Sequence, residues 1–176
     1  MRSATFSVLV LVASAWLPAA AQQALEPSAK GDQQRRYDCA EAPTEMPYRL
    51  YVPQSYDPAR KTPLVVALHG YGGDQNYFFA SLPTLPDLLE RHGFILVAPM
   101  GLAADGWYGA PLSIPGNAPR SSGAPTPAPL RTPEEETRYR ALSETDVMNV
   151  IRIVRAEYSI DPDRIWLGTT SGAVLQ

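Results

Sequence analysis

The sequence predicts a parallel α/β domain, in which buried strands alternate with helices. Three observations carry this expectation. Leu64–Leu68 (LVVAL) and Phe94–Ala98 (FILVA) are continuously apolar, the pattern of strands covered on both faces. Val147, Val150, Ile151, Val154 and Tyr158 recur at helical spacing and form one apolar face. Arg164–Leu167 then starts a third buried strand, so strand and helix alternate along the chain.

The elements follow in order. Residues 1–21 read as a secretory signal peptide: Arg2 supplies a positive charge, Phe6–Leu17 is apolar, and Ala19-Ala20-Ala21 offers a small-residue cleavage site. The apolar run is too short to span a bilayer stably. The expected location is therefore secreted or periplasmic, with no membrane association after cleavage. Residues 22–45 read as a polar leader, and residues 46–176 as the domain. Tyr48–Val52 alternates and predicts a first strand, and Pro53–Pro63 predicts a turn. Leu85–His92 predicts a short helix stopped by Gly93. Residues 111–133 hold seven of the 18 prolines and predict a long irregular loop. Ser143, with Asp146 three residues on, has capping-box spacing and predicts the start of the apolar-faced helix, which Asp161-Pro162 ends.

Composition excludes several functions. A net charge of −3 leaves no basic footprint for nucleic acid. The single cysteine, Cys39, rules out a disulfide within the chain, and nothing before it resembles a lipid-attachment signal. No His/Cys/Asp/Glu group has metal spacing, and Gly70–Gly73 lacks the Lys-Ser/Thr of a phosphate loop. Neither a metal nor another cofactor is expected. Oligomeric state is not legible.

Two stretches carry chemistry. His69-Gly70-Tyr71-Gly72-Gly73 leaves a buried strand directly. Its glycines let backbone approach a substrate closely and aim an N–H at a developing oxyanion. Ser171 lies where the third strand should turn into a helix, among small residues. The usual nucleophile turn is G-x-S-x-G. Here the frame centred on Ser171 is Thr169-Thr170-Ser171-Gly172-Ala173, with both glycines replaced. A second register, Gly168 to Gly172, centres Thr170 instead. Distance from the preceding Asp161-Pro162-Asp163-Arg164 favours Ser171. Of the two histidines, His69 belongs to the glycine loop and His92 to the end of a helix. Neither is expected to be a general base.

PLVVALHGYGGDQNYF, FILVAP, DGWYG, SETDVMNVIRIVRAEY and DPDRIWL resemble the α/β-hydrolase superfamily. The similar branch is the secreted carboxylesterases akin to polyhydroxybutyrate depolymerases, feruloyl esterases and prolyl-oligopeptidase-like hydrolases. The resemblance runs from about Met46 to Leu167 and implies a parallel-sheet hydrolase fold that is cut after the nucleophile strand. It implies Ser171 as nucleophile, the backbone N–H groups of Tyr71 and Gly172 as the oxyanion hole, and His69, Gly70, Trp107 and Tyr108 lining the pocket. It implies a small-molecule or polymeric ester as substrate and an acyl-enzyme intermediate. Two departures stand out. Family members carry a histidine before the serine, where this chain has Thr170. They also place the triad acid and histidine further along the chain. The expectation is therefore the N-terminal half of an exported serine carboxylesterase, inactive as it stands. The alternatives are a non-catalytic remnant and a prolyl-oligopeptidase-like peptidase.

Overall fold

The structure, a computed structural model, describes residues 29–42, 45–70, 72–102, 108 and 132–169. The strands among them are β1 (Gly31–Tyr37), β2 (Met46–Val52), β3 (Thr62–Leu68), β4 (Ile95–Pro99) and β5 (Ile160–Thr169). These five form one sheet in the order β1-β2-β4-β3-β5. The helices are α1 (Tyr77–Ser81), α2 (Leu85–His92) and α3 (Pro133–Glu157). The signal-peptide segment and most of the proline-rich stretch lie outside the described residues.

The sheet is mixed, the parallel part that the sequence predicts being joined by an antiparallel part. β3 runs parallel to β4 and to β5, but β2 is antiparallel to both β1 and β4. Connection length explains the difference. A parallel neighbour needs a crossover of a dozen or more residues. Residues 38–45 are too few to carry β1 back to the same end of the sheet, so β2 must reverse. The segments after β3 and after β4 hold helices and so return the chain parallel.

β4 is the central strand and is buried throughout, and β3 beside it is covered on both faces. Leu64, Val66 and Leu68 face one layer with Val150 and Val154 of α3. Ala67 and the partly buried Val65 face the other layer, with Leu85 and Leu89 of α2. The chain therefore builds three layers, with α3 on one face of the sheet and α1 and α2 on the other. Helix α2 matches the sequence reading. Gly93 takes φ +66 and its N–H closes on the Leu89 carbonyl, the left-handed stop that glycine adopts without strain.

Three expectations are corrected. Residues 31–37, read as part of a leader, form β1 in full register with β2, Gly31 against Val52 through Tyr37 against Met46. The composition is polar because β1 is an edge strand, and its one buried side chain is Arg35. That guanidinium pairs with the Glu157 carboxylate and donates 3.1 Å to the Tyr158 hydroxyl, so a charge is buried with partners. Helix α3 starts ten residues before Ser143. Its cap is Thr132, whose side chain accepts from the Glu135 N–H while the Glu135 carboxylate accepts from the Thr132 N–H. Pro133 at the first helical position favours this earlier start. Ser143 and Asp146 instead sit inside the helix, both buried.

Strand β5 is the third correction. It begins at Ile160 and takes in Asp161-Pro162, where the sequence reading ended α3 and started the strand at Arg164. β3 pairs with one edge of it. Among the described residues nothing pairs with the other edge, so Trp166 is 58% exposed and Leu167 45%. Cys39 is a buried free thiol, consistent with the lone cysteine.

Candidate active site

The helix after β3 lies on one face of the sheet and the helix after β4 lies on the other. The connections after these two adjacent strands therefore lead to opposite faces of the sheet. In open α/β sheets ligands bind at such a switch point. The glycine loop leaves β3 at this place. β5 runs parallel beside β3 with Leu68 opposite Thr169. Neighbouring strands lie about 4.8 Å apart. Leu68 and Thr169, the last residues of these two strands, thus lie side by side at the same end of the sheet.

Within the loop, the Gly73 N–H donates 3.0 Å to the Gly70 carbonyl and closes a four-residue turn. Gly72, third in that turn, has φ +77, which side-chain-bearing residues adopt only with strain. A Cβ on Gly73 would sit 3.0 Å from the His69 Cβ and 3.1 Å from its Nδ1, so a side chain there would press on the imidazole. His69 is 4% exposed. Its Nε2 lies 2.7 Å from the Met100 carbonyl and its Nδ1 2.8 Å from that of Gly70. Both nitrogens are occupied by backbone, so His69 is a structural support of the loop rather than a group open to substrate. His92 ends α2 ahead of β4, at the opposite end of the sheet, with its ring against Phe94.

Tyr108 stands over this support. Its ring meets His69 edge-on at 5.2 Å and its hydroxyl donates 3.0 Å to the Pro99 carbonyl. Burial pushes the Tyr108 phenol well above the usual tyrosine range, so it stays a neutral donor. Its backbone is left-handed, φ +45. Tyr108 also packs on Gly101, where an added Cβ would lie 2.7 Å from the tyrosine Cε1.

Of the residues singled out from the sequence, the structure brings together His69, Gly70 and Tyr108. Ser171, Thr170, Gly172, Tyr71 and Trp107 lie outside the described residues. The sequence reading missed Asp146. It is fully buried on the core stripe of α3, four residues before Val150 and eight before Val154. Its Oδ1 accepts 2.7 Å from the Tyr37 hydroxyl and its Oδ2 2.7 Å from the Gly101 N–H. Burial raises its pKa, opposed by the Tyr37 and Gly101 hydrogen bonds and by His69. The signal was available: an aspartate in phase with a valine stripe must find bonded partners. Among the described residues no cluster of His, Cys, Asp and Glu could hold a metal, and no helix is long and apolar enough to cross a membrane.

No family model and no curated protein matches the sequence. Solved structures do. The chain is similar to a thermostable esterase at 26% identity and a TM-score of 0.52, with 80% of this chain and 34% of the other covered. It is similar to a ferulic acid esterase of the anaerobic fungus Anaeromyces mucronatus at 20% identity and 0.52, over 86% and 53%. An S-formylglutathione hydrolase of Agrobacterium tumefaciens aligns at 14% identity and 0.52, over 83% and 51%. The chain thus spans between a third and about half of the length of these three structures. The order of its elements and these likenesses agree: the fold of this chain is that of the α/β-hydrolases.

Proposed function

We propose that this chain is part of an exported serine hydrolase that cleaves carboxylic esters through an acyl-enzyme. One observation supports the reading: the sequences that hold the glycine loop and Ser171 follow two adjacent parallel strands that end in matched register, Leu68 against Thr169. An acyl-transfer site needs a nucleophile and an oxyanion donor converging on one carbonyl, and adjacent strand ends supply both. Ser171 is the proposed nucleophile, with Thr170 the alternative. Its hydroxyl oxygen would attack the ester carbonyl as a base takes its proton, and the backbone N–H groups of Tyr71 and Gly172 would hold the oxyanion. The alcohol would then leave with that proton, and water would release the acid and restore the serine. The base is not His69, whose nitrogens face backbone, nor His92, at the other end of the sheet. The likeness to the thermostable esterase and the ferulic acid esterase supports an ester over other acyl groups. Export rests on the N-terminal sequence.

The test is hydrolysis of p-nitrophenyl acetate and methyl ferulate by the full-length protein that carries this chain. Ser171→Ala should lower kcat by a factor on the order of 10⁴–10⁶. Retained activity in Ser171→Ala with loss in Thr170→Val would move the nucleophile to the other register. Retained activity in both would end the proposal.

A further inference from the structure

We infer that Asp146 is a positioning residue for the His69–Gly73 loop, acting through the Met100–Gly101 peptide and the His69 imidazole. The inference rests on reading that loop as the oxyanion loop.

A carboxylate on an apolar helix stripe persists only where its oxygens are bonded. Asp146 bonds two segments remote in sequence, Tyr37 at the end of β1 and Gly101 after β4. The Gly101 contact matters most. One peptide unit carries both the Gly101 N–H and the Met100 carbonyl. Asp146 takes the first at 2.7 Å, and His69 Nε2 faces the second at 2.7 Å. The amide is pinned at both ends, and bonds in such a chain polarise one another. A carbonyl oxygen only accepts, so the Met100 contact is a hydrogen bond when Nε2 carries the proton and the Gly70 contact when Nδ1 does; the inference requires the proton on Nε2.

The ring so fixed sets the loop. Gly73 folds directly onto the His69 side chain, and Tyr108 closes against its edge and against Gly101. Gly101 has φ +57, which adapts the peptide to both partners. An oxyanion donor works only if it is aimed before the charge develops, and the packing behind it does the aiming. Asp146 lies behind that loop and touches no substrate.

¹⁵N-histidine labelling of the full-length protein shows every histidine ring, and the signals lost in His69→Gln are those of His69. The parent should show a protonated Nε2 on His69 with a slowly exchanging proton. It should also show a through-bond coupling from that nitrogen to the Met100 carbonyl carbon. Asp146→Asn has one acceptor oxygen for two donors, and should shift both His69 ring nitrogens and speed exchange at Nε2. Tyr37→Phe removes the other donor on the same carboxylate and should leave the His69 signals in place. Unchanged His69 nitrogens in Asp146→Asn, or equal shifts in Tyr37→Phe, would overturn the inference. Should Asp146→Asn fail to fold, the parent decides: absence of the Met100 coupling or of a protonated Nε2 overturns it. The ester reading is tested separately. If the NMR result holds but Asp146→Asn leaves kcat of the full-length enzyme unchanged, Asp146 positions the loop and the oxyanion role of that loop fails. A fall in kcat of about 10²-fold with KM near the parent value supports both.

Discussion

Gly101 and Gly93 have similar left-handed backbones, φ +57 and +66, in different surroundings. An added Cβ at Gly93 would meet nothing within 4 Å, whereas at Gly101 it would lie 2.7 Å from the Tyr108 Cε1 and 3.1 Å from its Cδ1. Gly93→Ala should therefore cost only the left-handed strain, about 1–2 kcal/mol. Gly101→Ala carries the same strain and must also displace a ring held by Pro99 and His69. Overpacking of this kind adds about 1–3 kcal/mol. The expected total is roughly 2–5 kcal/mol, and the excess belongs to Tyr108. Urea denaturation of parent, both alanine variants and a Tyr108→Ala background measures it. With Tyr108 removed, Gly101→Ala should cost no more than Gly93→Ala. An unchanged excess in that background, or equal costs in the parent, would refute the packing of Tyr108 on Gly101.

Val150 is fully buried between α3 and β3, so Val150→Ala should destabilise by about 1.5–3 kcal/mol, against less than about 0.5 for Met148→Ala on the exposed side of the same helix; thermal melts decide. The open β5 edge exposes Trp166 and Leu167, so residues 22–176 should bind a hydrophobic dye, and Trp166→Lys with Leu167→Lys should reduce the fluorescence severalfold at unchanged far-UV circular dichroism. Burial holds the Asp146 carboxyl above its ordinary 3.8, so its contribution is most favourable below that pH and is lost as pH rises through the raised value. The stability advantage of parent over Asp146→Asn should then shrink from about pH 4 to pH 7, by about 1.4 kcal/mol for every tenfold by which folding weakens the acid, and a growing advantage in urea melts would contradict it.

The sequence disclosed what depends on local pattern. The apolar runs of β3 and β4 name central strands, because both faces of such strands are covered. Gly93 names the end of α2, because one residue satisfies the cap. What it hid depends on partners far along the chain. Arg35 and Tyr37 look like leader residues until Glu157 and Asp146 of α3 meet them. Capping-box spacing occurs twice, at Thr132 and at Ser143, and the second hid a buried carboxylate on the core face. β5 looks buried by composition, yet what covers a strand is not written in its own residues. In the site, the glycine loop was legible because backbone geometry demands those residue types. The role of His69 was not, because Met100 and Asp146 reach it only through the fold.

The central claim is that Ser171, two residues beyond β5 in the sequence, is the nucleophile that works with the glycine loop after β3. Mass mapping of the full-length protein after reaction with a fluorophosphonate tests this most directly. The predicted result is one covalent adduct on Ser171, in the peptide that begins after Arg164, formed as ester hydrolysis is lost. Loss of hydrolysis with the adduct elsewhere, or an unmodified Ser171 in fully inhibited enzyme, would contradict the account.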